Sequence, residues 1–340
     1  MILKKLLTLI VPCYNSAAYM ERCLKSLLPG GEQVEILIVD DGSTDQTGAI
    51  ADKYAADYPE MVSVIHQANG GHGAAVTTGV NHAQGTYLKV VDSDDWLDEE
   101  SYPKVLSSLK KFERPGDQLD MLITNFIYDK VGVKHKKTMS YEHLPQQAVF
   151  SWDDFKLHAG HYLLMHSVIY RTALLRDEVH LVLPQHCFYV DNLYVFEPLP
   201  QVKRMYYLNI PLYHYFIGRA DQSVHENVML RRIDQQLAVN RRMIDFYVDH
   251  VDPQTRCGRY MRSYLEIITT ISSVLLVRGG SPEQLAKRDQ LWQYLKAKDL
   301  KLYHQLKRRP FGRAVTVSNK LGRKMTVEFY KIGQKMYGFN

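Results

Sequence analysis

Cysteine is scarce and scattered. Cys13, Cys23, Cys187 and Cys257 form no Cys-x-x-Cys pair, so neither a disulfide framework nor a zinc site is indicated. Isolated thiols fit the cytosol. Long apolar runs are also missing, since the stretch around Ile267–Val277 is interrupted by Thr and Ser and is too short to span a bilayer. Lys4 and Lys5 ahead of Leu6–Val11 imitate a secretory signal. The apolar core is short, however, and no small-residue cleavage site follows it, so the segment reads as a first buried strand. No Gly-x-Gly-x-x-Gly follows that strand, which disfavours a dinucleotide-binding protein. The net charge of +5 over 340 residues is mild, and no nucleic-acid recognition motif accompanies it.

Hydrophobic residues make up 46% of the chain, enough for a sizeable core. Over the first hundred residues apolar runs alternate with helical spacing. Strands are expected at Leu6–Val11, Val34–Val39, Val62–His66 and the run entering Asp92. Helices are expected at Tyr19–Leu28, with Asn15 or Ser16 as N-cap, at Thr47–Tyr58 and from the Asn69–Gly73 turn to His82. Alternation of this kind predicts an α/β fold with a covered, largely parallel sheet. Ligands bind off the carboxyl ends of such strands. Pro12–Asn15, Asp40–Asp45, Asn69–Gly73 and Asp92–Asp95 would all meet there.

The run Tyr87–Asp98 carries the most chemistry. Asp92 and Asp94 lie two apart, as the only Asp-x-Asp in the chain. In extended backbone they point the same way. Hard oxygens on a short turn suit Mg²⁺ or Mn²⁺, which complete their shells from water and substrate phosphates. The competing reading makes Asp94 or Asp95 the N-cap of a helix starting near Trp96.

Ile10–Asn15, Ile38–Asp45, Asn69-Gly70-Gly71 and Val91–Asp98, in this order and spacing, closely resemble the family 2 glycosyltransferases. The resemblance implies an inverting, nucleotide-sugar-dependent enzyme of the GT-A (Rossmann-like) fold, a mixed sheet flanked by helices. By the same resemblance Pro12, Tyr14 and Asp41 or Asp40 hold nucleobase and ribose, helped by Asn69 and the Gly71 turn. Asp92 and Ser93 face ribose or sugar, and Asp94, with Asp92, binds Mn²⁺ or Mg²⁺. A carboxylate such as Asp41 can accept the imide N–H of uracil, and Tyr14 can stack on the ring. Many family members carry an Arg-Asn pair soon after the Gly-Gly, where this chain has Ala74–Gly79. Backbone N–H groups of the Gly71-His72-Gly73 turn, at a helix N-terminus, favour anions instead, and His72 could add a side-chain donor.

Further on, a helix is expected at Tyr102–Phe112, a strand at Leu119–Phe126 and a basic flap at Val131–Lys137. Asp191 follows a cluster of aromatics in Cys187–Asn192. Family members place their general base here, often preceded by Glu, where this chain has Val190. Asp191 is therefore the expected catalytic base, taking the acceptor hydroxyl proton; its bland role is a helix N-cap. His161 and His166 are candidates for the acceptor site. Tyr213–Val224 is similar to the segment closing the catalytic domain of bacterial relatives, so that Arg219 could pair with the diphosphate and His214 or His225 could complete a metal shell.

Three regions are expected: a catalytic domain over 1–225, a helical region over 226–300 that could dimerise, receive the acceptor or rest on a membrane, and a basic tail over 301–340. Leu230, Ile233, Leu237, Ile244 and Tyr247 form one apolar stripe. Tyr260–Val277 is a second helix ended by Gly279-Gly280, and Ser281-Pro282 caps a third. The tail holds ten Lys or Arg against one acid, Glu328. On a helical wheel Val317, Leu321, Met325, Phe329, Ile332 and Met336 share a face beside the basic residues, the pattern of a membrane-surface helix; the competing reading packs that apolar face on the fold and leaves the basic one solvated. The expected activity is sugar transfer from a nucleotide sugar, most simply UDP-linked, to a cell-envelope glycan or lipid-linked acceptor. The expected place is the cytoplasm, at the inner face of the membrane, with no nucleic-acid partner. The alternatives are a nucleotidyltransferase and a non-catalytic sugar-nucleotide or glycan-binding subunit.

Overall fold

A computed structural model describes residues 4–132, 136–158, 160–218 and 226–316. The first apolar runs become β1 (Leu7–Cys13), β2 (Val34–Asp40), β3 (Val62–His66) and β4 (Tyr87–Val90), separated by α1 (Met20–Leu27), α2 (Thr47–Asp57) and α3 (His72–His82). Every residue of β1, β2 and β4 is buried, as expected of parallel strands covered on both faces. Strand β1 pairs in parallel with β2 (Leu7↔Val34) and β4 (Leu7↔Tyr87). The polar carboxyl ends of these strands therefore share one rim.

Next come β5 (Trp96–Leu97), α4 (Ser101–Lys111), β6 (Met121–Lys130), β7 (Lys137–Met139), β8 (Val149–Phe150), β9 (Val168–Arg171), α5 (Asp191–Phe196) and β10 (Met205–Ile217). The sheet order is β3-β2-β1-β4-β9-β6-β10-β5, with β7 beside β6 and β8 beside β10. Strand β9 runs antiparallel to both neighbours, so the sheet is mixed. Irregular register near Pro211 bends β10, and Tyr213 beyond it pairs with Leu97 of β5.

No helix starts at Trp96. The chain is held extended there by β10, with Trp96 stacked on His214 at 5.1 Å and beneath the Arg22 guanidinium. Helix α4 starts at Ser101, where the Asp98 carboxylate accepts from the Ser101 N–H at 2.9 Å. Asn15 and Ser16 likewise do not cap α1, whose N-cap is Tyr19; Asn15 is bonded to Ser43 and Thr44 of the neighbouring loop, and the Ser16 N–H donates to Thr47 Oγ1 at the start of α2.

The chain divides into two compact units after Ile217, eight residues before the expected boundary. The second is helical: α6 (Glu226–Arg231), α7 (Ile233–His250), α8 (Arg256–Gly279), α9 (Pro282–Lys298), α10 (Leu300–Arg308) and α11 (Pro310–Val315). The predicted stripe is the packed face of α7, where Ile233, Leu237, Ile244 and Tyr247 are buried. Gly280, at φ +70°, ends α8. Ser281 caps α9 in a reciprocal box with Gln284. Leu302, Leu306 and Val315 are buried, so the start of the basic stretch is part of the bundle. The amphipathic wheel over 317–336 lies outside the described residues. Among the described residues no helix is long and apolar enough to cross a membrane.

Candidate active site

The loops at the carboxyl rim are tied together by side chains. Asn15, at φ +49°, accepts from the Thr44 N–H at 2.9 Å, and its own N–H donates to Ser43 Oγ at 3.0 Å. Ser16 Oγ meets Ser93 Oγ at 2.8 Å, joining the first loop to the Asp92 turn. Pro12 is buried within β1, opposite Val39. Tyr14 is 51% exposed, a large ring left at the rim.

Asp41 and Asp40 prove to be structural anchors. Asp41, 1% exposed, accepts from Gln67 Nε2, Asn69 Nδ2, Gly70 N–H and Gly71 N–H, at 2.6 to 3.1 Å. Its carboxylate thereby shapes the Asn69–Gly71 turn. Asp40 accepts from the Ser43 N–H and contacts His66 Nδ1 at 2.8 Å. Gly71 sits at φ +84°, and a Cβ there would meet the His186 backbone at 3.0 Å. That close approach requires glycine.

The acidic turn after β4 is closed by the Asp95 N–H donating to the Asp92 carbonyl at 3.0 Å. Asp95 is fully buried, accepting from Tyr213 OH at 2.6 Å and the Phe216 N–H at 2.7 Å. Burial and the nearby charges of Asp94 and Asp92 raise its pKa well above the usual carboxylate range. Asp92 contacts His72 Nε2 at 2.9 Å. Burial opposes its charge, but the His72 contact outweighs burial and lowers its pKa; the same contact raises that of His72 against burial.

Two further residues complete this cluster. Lys89 is fully buried in β4 and donates to the carbonyls of His166 (2.7 Å) and Val168 (3.3 Å). Burial lowers its pKa to about 7, against the pull of Asp92 and Asp95. His166 stacks on Tyr213 and Tyr215 at 4.9 and 4.4 Å. Its buried Nδ1 has no hydrogen-bond partner among the described residues, and burial lowers its pKa to about 4. Ligand atoms of Asp92, Asp95 and His166 lie within 4.8 Å of one another. The Asp92 carboxylate and the neutral His166 imidazole, with Asp95 beside them already bonded to Tyr213 and Phe216, are hard-oxygen and imidazole donors of the kind that fit a divalent cation of the Mn²⁺ type.

Asp191 is the first residue of α5. The loop before it is anchored on α3 and the glycine turn: the Leu183 N–H donates to Thr77 Oγ1 at 3.0 Å, and the His186 N–H to the Gly70 carbonyl at 2.6 Å. His186 (φ +48°) and Tyr189 (φ +67°) are both in the left-handed region, a backbone cost of order 1 kcal/mol each that clusters at functional sites. Burial raises the Asp191 pKa to about 6, with His72 lowering it and Asp92 raising it again. The residues brought together are thus His72, Asp92, Asp94, Asp95, His166 and Asp191. His214 is held by Asp129 at 3.1 Å and Asp98 at 3.5 Å, apart from the Asp92–Asp95–His166 group. Arg219 and His225 lie outside the described residues. Lys89 was missed in the sequence, although a lysine inside an apolar strand was the signal.

Residues 8–172 match the sequence profile of glycosyl transferase family 2. The chain is 38% identical to the EpsJ glycosyltransferase of Bacillus subtilis (strain 168) over 122 residues, 36% of this chain and 34% of that protein. It is 30% identical to the EpsH glycosyltransferase of the same organism over 230 residues, 62% of this chain and 60% of that one. The matches therefore span less than two thirds of these relatives. The structure resembles residues 1–349 of Staphylococcus aureus TarS in complex with UDP-GlcNAc, with a TM-score of 0.68 at 19% identity, covering 96% of this chain and 92% of that one. It also resembles the mannosyltransferase PcManGT of Pyrobaculum calidifontis in complex with GDP-Man and Mn²⁺, with a TM-score of 0.50 at 13% identity, covering 97% and 86%. At these identities the likeness establishes the fold, the mixed-sheet GT-A type.

Proposed function

Since residues 8–172 belong to glycosyl transferase family 2, we propose that the protein moves a sugar, with inversion, from a UDP-sugar to a hydroxyl of a cell-envelope glycan or lipid-linked acceptor. The observation that carries this reading is the convergence of His72, Asp92, His166 and Asp191 beside the exposed Tyr14 rim. Tyr14 stacks on the base, and the Asp41-braced turn lines the ribose side. Asp92 orients the ribose or sugar. His72, at the N-terminus of α3, supplies the positive charge that other members draw from arginine. Asp92, Asp94 and His166 would hold Mn²⁺ or Mg²⁺, which when bound would supply Lewis-acid stabilisation of the charge developing on the diphosphate.

Asp191 receives the acceptor proton. As the acceptor oxygen bonds to the anomeric carbon, the bond from that carbon to the β-phosphate oxygen breaks. The hydroxyl proton passes to the carboxylate, and nucleoside diphosphate leaves. A carboxylate with a pKa near 6 is a stronger base than an ordinary aspartate and remains ionised at neutral pH. The site of action is the cytoplasmic face of the membrane.

The test is a thermal-shift screen of nucleotide sugars with and without Mn²⁺, followed by NMR of the product anomer. The expected result is a metal-dependent rise in melting temperature with a UDP-sugar, then an inverted product and free UDP. Release of pyrophosphate from a nucleoside triphosphate supplied together with a sugar 1-phosphate would instead make the protein a nucleotidyltransferase. Binding with neither transfer nor donor hydrolysis would leave it a binding subunit.

A further inference from the structure

Several basic residues of the helical unit are paired with acids. Lys287 pairs with Asp234 and Glu283, Lys298 with Asp245 and Asp249, Arg288 with Asp289, and Arg309 with Glu266. Lys296, Lys307, Arg308 and Arg313 contact no carboxylate among the described residues. These four line one open cleft of about 610 Å³ between α9, α10 and α11, together with Leu300 and Tyr303. No acid lines it. The Tyr303 ring lies under two of the cations, Lys307 Nζ at 5.2 Å and Lys296 Nζ at 5.9 Å, and Lys307 also donates to Tyr303 OH at 2.8 Å. The ring thus holds two ammonium groups that would otherwise repel each other. Leu300 and Phe311 are 54% and 51% exposed on the same two helices, α10 and α11.

We propose that this cleft is a binding site for anionic phospholipid headgroups. A concave patch of one charge sign focuses its field and selects anions. Four cations lining a cleft with the exposed Leu300, and Phe311 exposed on the adjoining α11, match a surface where phosphate lies above acyl chains. A soluble phosphate ligand would leave Leu300 and Phe311 unexplained. The inference stands independently of the transferase reading.

The test uses the full chain with Lys320, Arg323, Lys324, Lys331 and Lys335 changed to Gln, so that the far tail does not mask the cleft. Co-sedimentation with phosphatidylglycerol vesicles is expected, falling steeply with salt, and none with phosphatidylcholine. Adding Lys296→Glu, Lys307→Glu, Arg308→Glu and Arg313→Glu is expected to weaken partitioning by about 10²-fold or more, with the UDP-sugar thermal shift unchanged. Undiminished vesicle binding by that variant overturns the proposal. As a measurement free of folding effects, phosphatidylglycerol vesicles should protect Lys296 and Lys307 of the unmutated chain from acetylation. No protection while the protein is vesicle-bound overturns it, as does equal protection by soluble glycerol 3-phosphate.

Discussion

Charged side chains at the sheet rim and in the helical unit are handled in opposite ways. At the rim most acids are committed to the protein's own donors: Asp41 to four, Asp95 to two, Asp40 and Asp98 to neighbouring loops. Asp92 uses one oxygen on His72, and His166 Nδ1 has no partner among the described residues. The helical unit instead leaves four cations without a carboxylate among the described residues in an open cleft, where water solvates them at little cost. Buried acids held by fixed donors are preorganised, so they suit chemistry. Solvated cations on a surface suit attraction and retention. The first arrangement tolerates no substitution lightly, while the second tolerates many.

The largest effect should follow Asp94→Ala. Transfer is expected to fall by about 10³-fold, as when a main electrostatic stabiliser of a transition state is removed, with the circular-dichroism spectrum unchanged. Next is Asp191→Asn, for which kcat should fall roughly 10²-fold while donor affinity is retained. A fall in donor affinity with kcat unchanged would remove Asp191 from the base role.

The same residue sets a pH dependence. Its raised pKa favours the neutral carboxyl in the folded protein, so wild-type turnover should decline as pH falls through about 6. The linked stabilisation is full below the ordinary aspartate range and disappears as pH rises through about 6. Asp191→Asn should therefore melt higher than wild type above pH 6, while being the poorer enzyme. Melting curves at several pH values check the sign.

Asp41→Ala should cost less, about 2 kcal/mol for leaving buried donors without a partner. Its mark is faster hydrogen exchange at the Gly70 and Gly71 amides. Smallest is Ser281→Ala, which removes the α9 cap for about 1 kcal/mol. Its effect should stay within the helical unit, leaving donor hydrolysis unchanged.

Legibility in the sequence followed the range of the interactions. Strands β1 to β4 and the Ser281 cap were readable because apolar alternation and cap chemistry are local. The rim was readable because topology alone brings strand ends together. What escaped depends on contacts over long separations. Trp96 extends into β5 because β10, more than a hundred residues later, pairs with it. Asp41 is an anchor because four donors from Gln67 to Gly71 converge on it, a geometry that residue types do not encode. Lys89 and His166 join the cluster through β9, which runs antiparallel between β4 and β6.

The central claim is that the rim carboxylates and His166 form a cation site for a nucleotide-sugar donor. The direct measurement is a Mn²⁺ titration in the presence of UDP, followed by electron paramagnetic resonance, on wild type, Asp94→Ala and His166→Ala. One bound Mn²⁺ per chain is predicted for wild type, with affinity at least about tenfold weaker in each variant, in line with the loss of a metal-site residue. Wild-type affinity in both variants, or no bound Mn²⁺ in wild type, would contradict the account.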